Sequence, residues 1–223
     1  MTESHPHGMT VGAASPARTP SGRLLVTLGL AGALAGGLIV SVYQATLPRI
    51  EAHRAALVEA AVREVLKNPT RWDTLYLEPN GLTRKLPAGA DPARAERVFW
   101  GYDGRDRPVG AAIVAGQPGF ADVVTLMFGL DPASGTVLGM KVLGSKETPG
   151  LGDRIERDTA FTSQFPGALT PLLGVKTRVG RDPSQVAVIT GATISSRTVI
   201  RIINQATARW RPLLQRYGER GSP

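Results

Sequence analysis

The sequence predicts an α+β fold, in which a single N-terminal transmembrane helix precedes a domain built from an antiparallel sheet and packed helices. An apolar stretch without a formal charge is long enough to cross a bilayer. Consecutive strand-like segments are separated by short turns, and the last long segment has apolar residues at helical spacing. With 223 residues, the chain has room for one domain beside the anchor.

The charge of the chain is basic but dispersed. The formal net charge is +8, and aromatic residues make up only 5% of the sequence. Proteins that bind nucleic acid usually interleave basic residues with stacking aromatic side chains, so no nucleic-acid partner is expected. Two explanations of the basic charge remain open. Either the arginines simply form a solvated surface, or they serve binding to an anionic partner or membrane surface.

Cysteine and histidine usage excludes several kinds of chemistry. The chain has no cysteine, which rules out disulfides, thiolate catalysis and iron–sulfur ligation by its own side chains. Its three histidines are His5, His7 and an isolated His53. None of them has a partner at metal-ligand spacing, so no metal site is expected.

The N-terminal part is predicted to be a tail and an anchor. Residues 1–23 are polar and are expected to be disordered. Residues 24–47 are interpreted as an uncleaved transmembrane helix, because the apolar run is longer than that of a signal peptide. Basic residues flank both ends, so charge leaves the orientation undecided. The spacing of Gly32 and Gly36 has two equally good explanations. Small residues at this spacing allow close packing of a second helix, and glycine is also common in membrane helices generally.

Residues 48–94 are expected to form a juxtamembrane helix and a linker. Apolar residues recur at helical spacing over 50–67. The segment that follows is rich in proline and glycine, with one short strand expected at 74–77. The globular domain is predicted to occupy residues 95–217.

Alternating apolar residues and turn signals such as Asp103-Gly104 predict an antiparallel meander. Its expected strands are 98–102, 109–115, 123–130 and 136–143. The expected later elements are a short helix at 158–164, short strands at 176–179 and 186–189, and a helix at 196–214. Pro212 is expected to kink or end that last helix.

The first of two glycine-containing motifs is Glu147-Thr148-Pro149-Gly150-Leu151-Gly152. Pro-Gly suits a type II turn, and a glycine at 152 lets the backbone approach a ligand closely. The two polar residues at its start end a strand, where they can form hydrogen bonds in a cleft. Taken alone, the motif indicates a surface turn more often than a binding loop.

The second motif, Thr190-Gly191-Ala192-Thr193, lies directly before the long amphipathic segment. Free N–H groups and the dipole at a helix N-terminus favour an anion such as phosphate. Ser195 and Ser196 are candidate caps. Taken alone, the motif indicates a capped helix with a possible phosphate site.

Together, in this order and spacing, the motifs make residues 24–214 resemble the RnfG/RsxG-like subunit of the Rnf ion-translocating electron-transport complex. The chain also resembles its relative, the NqrC subunit of the sodium-pumping quinone reductase. Gly119-Phe120 and the stretch 135–139 contribute to the resemblance. It implies FMN joined by a phosphoester to Thr193 and installed from FAD by a separate flavin transferase. The transferase motif usually has Asp where this chain has Ala187, a departure that bears on the efficiency of attachment.

The resemblance further implies a membrane-anchored covalent flavoprotein, which relays electrons in an Rnf-type ferredoxin:NAD oxidoreductase together with other membrane subunits. A flavin suits this role because it exchanges one or two electrons. The flavin domain is expected on the periplasmic, outer side of the cell membrane, and no catalytic residue is expected. The alternatives are an FMN subunit of another respiratory chain and a non-redox anchored binding module.

The expected cofactor-binding residues are those of the two motifs, Ser195 and Phe120. They are Thr190, Gly191, Ala192, Thr193, Ser195, Glu147, Thr148, Gly150, Leu151, Gly152 and Phe120. Glu147 is expected to bond a ring N–H or a ribityl hydroxyl. Arg197 either neutralises the phosphate or lies on a solvated helix face. Phe120 either covers the ring edge or, more often for such a residue, fills the core.

Overall fold

The computed structural model describes residues 21–91 and 95–219, so residues 1–20 of the predicted tail lie outside the described part. The chain divides into two compact units, residues 1–52 and 53–223, which are considered separately.

Helix α1 spans Ser21–Val65 and joins two predicted helices into one. Its first part is long and apolar enough to cross a membrane, and the side chains of that stretch are exposed. Pro48 lies inside the helix. The helix ends before Lys67 and Asn68, which have φ angles of 59° and 60°; these left-handed conformations stop the helical hydrogen-bond pattern.

A six-stranded sheet forms the centre of the domain, with the order β2-β1-β3-β4-β5-β6 and antiparallel pairing throughout. The strands are β1 Arg71–Glu78, β2 Gly81–Thr83, β3 Arg97–Tyr102, β4 Pro108–Pro118, β5 Val123–Asp131 and β6 Thr136–Gly144. The predicted meander is confirmed. The short strand expected at 74–77 is confirmed as part of β1, which pairs with β3. The segment predicted as a linker also supplies β2, because pairing with β1 overrides its turn-rich composition.

The later elements are α2 Arg154–Arg157, α3 Thr159–Thr162, β7 Leu173–Val175, β8 Gln185–Ala187 and α4 Thr193–Glu219. Strand β7 ends where the strand at 176–179 was expected to begin, and it pairs in parallel with β8. Helix α4 continues through Pro212 rather than ending there. Side chains on either side hold it there, because Arg211 Nε and Gln215 Nε2 each donate to the Pro132 carbonyl at 2.9 Å.

The sheet has a different helix on each face. Trp100, Ile113 and Phe128 belong to the larger buried cluster, which includes the apolar face of α4. Their neighbours along the strands, Phe99, Ala112 and Met127, point to the opposite face and pack with the end of α1. The α+β prediction is therefore confirmed, with layers of helix, sheet and helix.

The end of α1 approaches the sheet closely at two glycines. Gly129 and Gly139 are direct partners across β5 and β6. A Cβ at Gly139 would lie 3.0 Å from the Val65 Cα, and one at Gly129 would collide with the Val65 carbonyl oxygen. Larger residues would therefore separate the helix from the sheet.

We expect Gly129→Ala to destabilise the domain by about 1–3 kcal/mol, because the added methyl group meets backbone that cannot turn aside. The change should lower the midpoint temperature of thermal unfolding in detergent by roughly 2–4 °C per kcal/mol. Circular dichroism measures this midpoint. Gly144→Ala on β6 is the matched control, since a Cβ there meets nothing within 4 Å. Equal midpoints for the two variants would contradict the close approach.

Candidate functional site

The two predicted motifs meet at one cleft. Its volume is about 310 Å³, within the range of roughly 300–1,000 Å³ that is usual for small-molecule sites. Both motifs and the turn between β4 and β5 contribute to its wall. The lining residues are Phe120, Glu147, Thr148, Leu151, Gly152, Gly191, Ala192, Thr193, Ile194 and Ser195. The fold thus brings segments that are distant in sequence into one site.

The beginning of α4 divides its side chains between the cleft and the core. Gly191, with φ at +87°, makes the turn into the helix. Thr193 is half-buried and Ile194 is 55% exposed, whereas Ser195 and Ser196 are buried. The helical rotation of about 100° per residue explains this difference in burial, because it turns the pair 193–194 towards one side of the helix and the pair 195–196 towards the other.

Ser196 closes the turn before α4. Its Oγ accepts a hydrogen bond from the Ile189 N–H at 3.1 Å and donates to the Ala192 carbonyl at 2.8 Å. The Thr193 hydroxyl makes only a long contact of 3.5 Å with the Ile189 carbonyl, at the limit of a useful hydrogen bond. Thr193 therefore presents a weakly engaged hydroxyl to the cleft.

Glu147 is a buried residue of the cleft wall and connects its parts. Its Oε1 accepts hydrogen bonds from the backbone N–H groups of Phe120, Ala121 and Asp122 at 2.9, 3.1 and 3.5 Å. Its Oε2 accepts from the Ser195 hydroxyl at 2.7 Å. Both oxygens thus accept hydrogen bonds from the chain, and the expected bond from Glu147 to a flavin stays a prediction.

The electrostatics of Glu147 follow from this arrangement. Burial raises the pKa of its carboxyl, but the hydrogen bonds from Ser195 and from the three backbone N–H groups lower it by more. The net pKa lies below the ordinary value. The carboxylate is therefore ionised at neutral pH and accepts all four hydrogen bonds.

The loop after Glu147 has the expected type II turn. The Leu151 N–H donates to the Thr148 carbonyl at 3.1 Å, and Gly150 has φ at +77°. Thr148 is exposed, and Leu151 is 52% exposed beside the cleft. Gly150 itself lines a neighbouring depression rather than the cleft.

Phe120 stands at the edge of the cleft. Its side chain is 68% exposed, so the interpretation that it fills the core is wrong. It follows β4 in the turn that Glu147 holds through backbone N–H groups. The rim thus carries three exposed apolar side chains, from Phe120, Leu151 and Ile194.

Two residues near the site were missed by sequence reasoning. Ile194 lies between the hydroxyl residues and belongs to neither motif. Arg154 of α2 donates from Nη1 to the Thr190 carbonyl at 3.3 Å and pairs with Asp158 at 2.9 Å. Arg154 reaches the turn through tertiary packing and lines a neighbouring depression, whereas Ile194 reaches the cleft because it directly follows Thr193. Thr190 itself is exposed outside the cleft lining.

Arg197 and Ala187, the two positions that bear on attachment of a phosphate, lie on different elements. Arg197 is exposed on α4. Ala187 lies in β8, where the Gln164 side-chain amide bonds both its N–H, at 2.7 Å, and its carbonyl, at 3.2 Å. Within residues 21–91 and 95–219, no group of three or more His, Asp or Glu residues is placed to hold a metal ion.

The cleft fits a flat, partly apolar group with a phosphate. The three apolar rim residues offer surface to a ring, and the half-buried Thr193 hydroxyl lies at the N-terminus of a helix of 27 residues. Such a terminus favours a nearby negative charge. FMN has a ring and a phosphate of this kind.

Comparison with known proteins gives a consistent result. A family model described as FMN-binding domain matches residues 119–208. The chain is 32% identical over 186 residues to the RnfG component of the ion-translocating oxidoreductase complex of Cronobacter sakazakii, covering 81% of this chain and 86% of that protein. It is 25% identical over 184 residues to the component of the same name from Methanosarcina acetivorans, covering 82% of this chain and 91% of that protein.

A solved structure shares the fold. The NqrC component of the Na⁺-translocating NADH-quinone reductase from Parabacteroides distasonis aligns with a TM-score of 0.51 at 20% identity, covering 64% of this chain and 77% of that chain. At this identity the likeness concerns the fold alone.

We expect acid to destabilise the domain partly through Glu147. Its pKa is lower in the folded chain, so its stabilising contribution is present above the unfolded value near 4.5 and is lost as the pH falls through the folded value. Glu147→Gln should therefore show a shallower loss of unfolding free energy between neutral and acidic pH. The exposed Glu156 provides the control Glu156→Gln. Identical pH profiles for wild type and Glu147→Gln would refute this assignment.

Proposed function

The chain belongs to the RnfG family of ion-translocating oxidoreductase complexes, and we propose that it is the membrane-anchored FMN protein through which such a complex passes electrons. The match of residues 119–208 to the FMN-binding domain supports the cofactor. The apolar helix near the N-terminus, together with the family of membrane-complex subunits, supports a single-pass membrane protein. The other subunits of an Rnf-type complex are its partners.

We further propose that FMN is attached through a phosphoester to Thr193. The observation that carries this proposal is the position of the Thr193 hydroxyl, which is half-buried in the cleft and weakly engaged. In the attachment reaction the Thr193 Oγ–P bond forms, the diphosphate P–O bond of FAD breaks, and AMP leaves. A flavin transferase catalyses this step.

The residues of the cleft would hold the cofactor from several sides. FMN, when bound, supplies one- and two-electron chemistry. The N-terminus of α4 stabilises negative charge beside Thr193. The exposed side chains of Phe120, Leu151 and Ile194 would cover apolar ring surface. Thr148 and the backbone of the 150–152 turn would provide hydrogen bonds that adjust the reduction potential.

Thr193→Val should abolish covalent FMN, because valine keeps the shape of the side chain but has no hydroxyl to esterify. Intact mass and in-gel flavin fluorescence of protein co-expressed with a flavin transferase measure the outcome. Thr190→Val in the same turn is the matched control and should retain the adduct. Flavin on the Thr193→Val protein, or none on the wild type, would overturn the attachment proposal.

We also propose that the flavin domain lies on the periplasmic, outer side of the cell membrane. Because the chain has no cysteine, single-cysteine variants report the orientation directly. The exposed position in Ala133→Cys should react with a membrane-impermeant maleimide in intact spheroplasts. Ser15→Cys, before the anchor, should react only after permeabilisation. The reverse pattern would place the domain in the cytoplasm.

A further inference from the structure

The wall of the cleft comes from three separate segments, and Glu147 contacts each of them. The segments are the turn 118–123, the loop 145–153 and the first turn of α4. Three backbone N–H groups of the first segment and Ser195 of the third donate to the Glu147 carboxylate. Within its own loop, the Glu147 N–H donates to Ser145 Oγ at 3.2 Å.

Two glycines leave room for this side chain. A Cβ at Gly152 would lie 2.6 Å from Glu147 Oε2 and 3.0 Å from Ser195 Oγ. A Cβ at Gly119, on the opposite side, would collide with Glu147 Oε1. The carboxylate is thus enclosed between two segments that approach each other only because both have glycine at the contact.

The residues that face the cleft are neighbours of those that Glu147 holds. Phe120 contributes a backbone donor to the carboxylate and an exposed ring to the rim. Ser195 donates to the carboxylate and lines the cleft together with the preceding Thr193 and Ile194. Thr148 follows Glu147 directly. A shift of the carboxylate would therefore move all three walls.

We propose that Glu147 is a positioning residue, which sets the distance between the Phe120 turn and the beginning of α4 and so determines how closely the protein covers the flavin ring. This inference rests on the proposed FMN site but assigns Glu147 no contact with the cofactor. It acts through the backbone of the turn and through Ser195.

The chemistry of the four donors explains why a carboxylate stands here. An ionised carboxylate only accepts hydrogen bonds, and it can accept several at each oxygen. Glutamine keeps the length of the side chain and one carbonyl acceptor, and the Ser195 hydroxyl can rotate to accept from its amide. Alanine removes every acceptor and leaves buried N–H groups without partners, which is costly.

The test uses the full-length protein carrying FMN in detergent, with Glu147→Ala, Ser195→Ala and Glu147→Gln variants. Glu156→Ala is the control, because Glu156 is an exposed residue of α2. The readout is quenching of flavin fluorescence by acrylamide, a neutral probe that reports ring accessibility without responding to local charge. Intact mass establishes that each sample carries the adduct.

We expect the quenching constant to rise severalfold in Glu147→Ala and Ser195→Ala, to stay near the wild-type value in Glu147→Gln, and to be unchanged in Glu156→Ala. Rescue by glutamine shows that a hydrogen-bonding side chain of this length suffices without the negative charge. Ser195→Ala leaves the Glu147 side chain in place, so it separates positioning from loss of a merely space-filling side chain. Wild-type quenching in fully loaded Glu147→Ala and Ser195→Ala would overturn the proposal. If Glu147→Ala does not fold, Ser195→Ala and Glu147→Gln decide it.

Hydrogen exchange gives a readout that does not depend on the flavin. Amides of the 119–123 segment should be protected in the wild type and should exchange much faster in Glu147→Ala, whether or not FMN is attached. A wild type without FMN would contradict the proposed function while leaving this measurement intact. Unchanged exchange in Glu147→Ala would refute the positioning role alone.

Discussion

The site depends on one buried carboxylate that accepts four hydrogen bonds from separate parts of the chain. Desolvating an ionised carboxylate is unfavourable unless hydrogen bonds compensate for it. Glu147 meets this requirement with three backbone donors and one hydroxyl. Because Gly119 and Gly152 lie against it, the loops can close around the charge without a cavity. This contact joins the Phe120 turn, the loop of Glu147 and the first turn of α4 into one cleft wall.

The sheet provides the frame on which these loops rest. Strands β4 and β5 carry the Phe120 turn, and β6 leads into the loop of Glu147. Helix α4 packs across one face of this sheet. The opposite face is occupied by the end of α1, which lies against Gly129 and Gly139. Helices on both faces leave the ends of the strands as the place where loops can form a binding cleft.

Much of this fold could be predicted, since the four central strands have clear alternation and strong turn signals. Residues 74–77 indicated β1, but β2 was missed, because it has only three residues and is defined by its pairing with β1. Helix α4 does not end at Pro212, where Arg211 and Gln215 donate tertiary hydrogen bonds to the Pro132 carbonyl. Both motifs were found, but the partners of Glu147 depend on contacts distant in sequence.

The arrangement of hydroxyl groups around Gly191 bears on the proposed attachment of FMN. The turn and the start of α4 contain four hydroxyl residues, at 190, 193, 195 and 196. Ser195 is bonded to Glu147, Ser196 bridges the two ends of the turn, and Thr190 lies outside the cleft. Of these four, Thr193 is the one whose hydroxyl lines the cleft without a short hydrogen bond. In the proposed attachment, selectivity within this segment would therefore come from the fold of the acceptor chain itself.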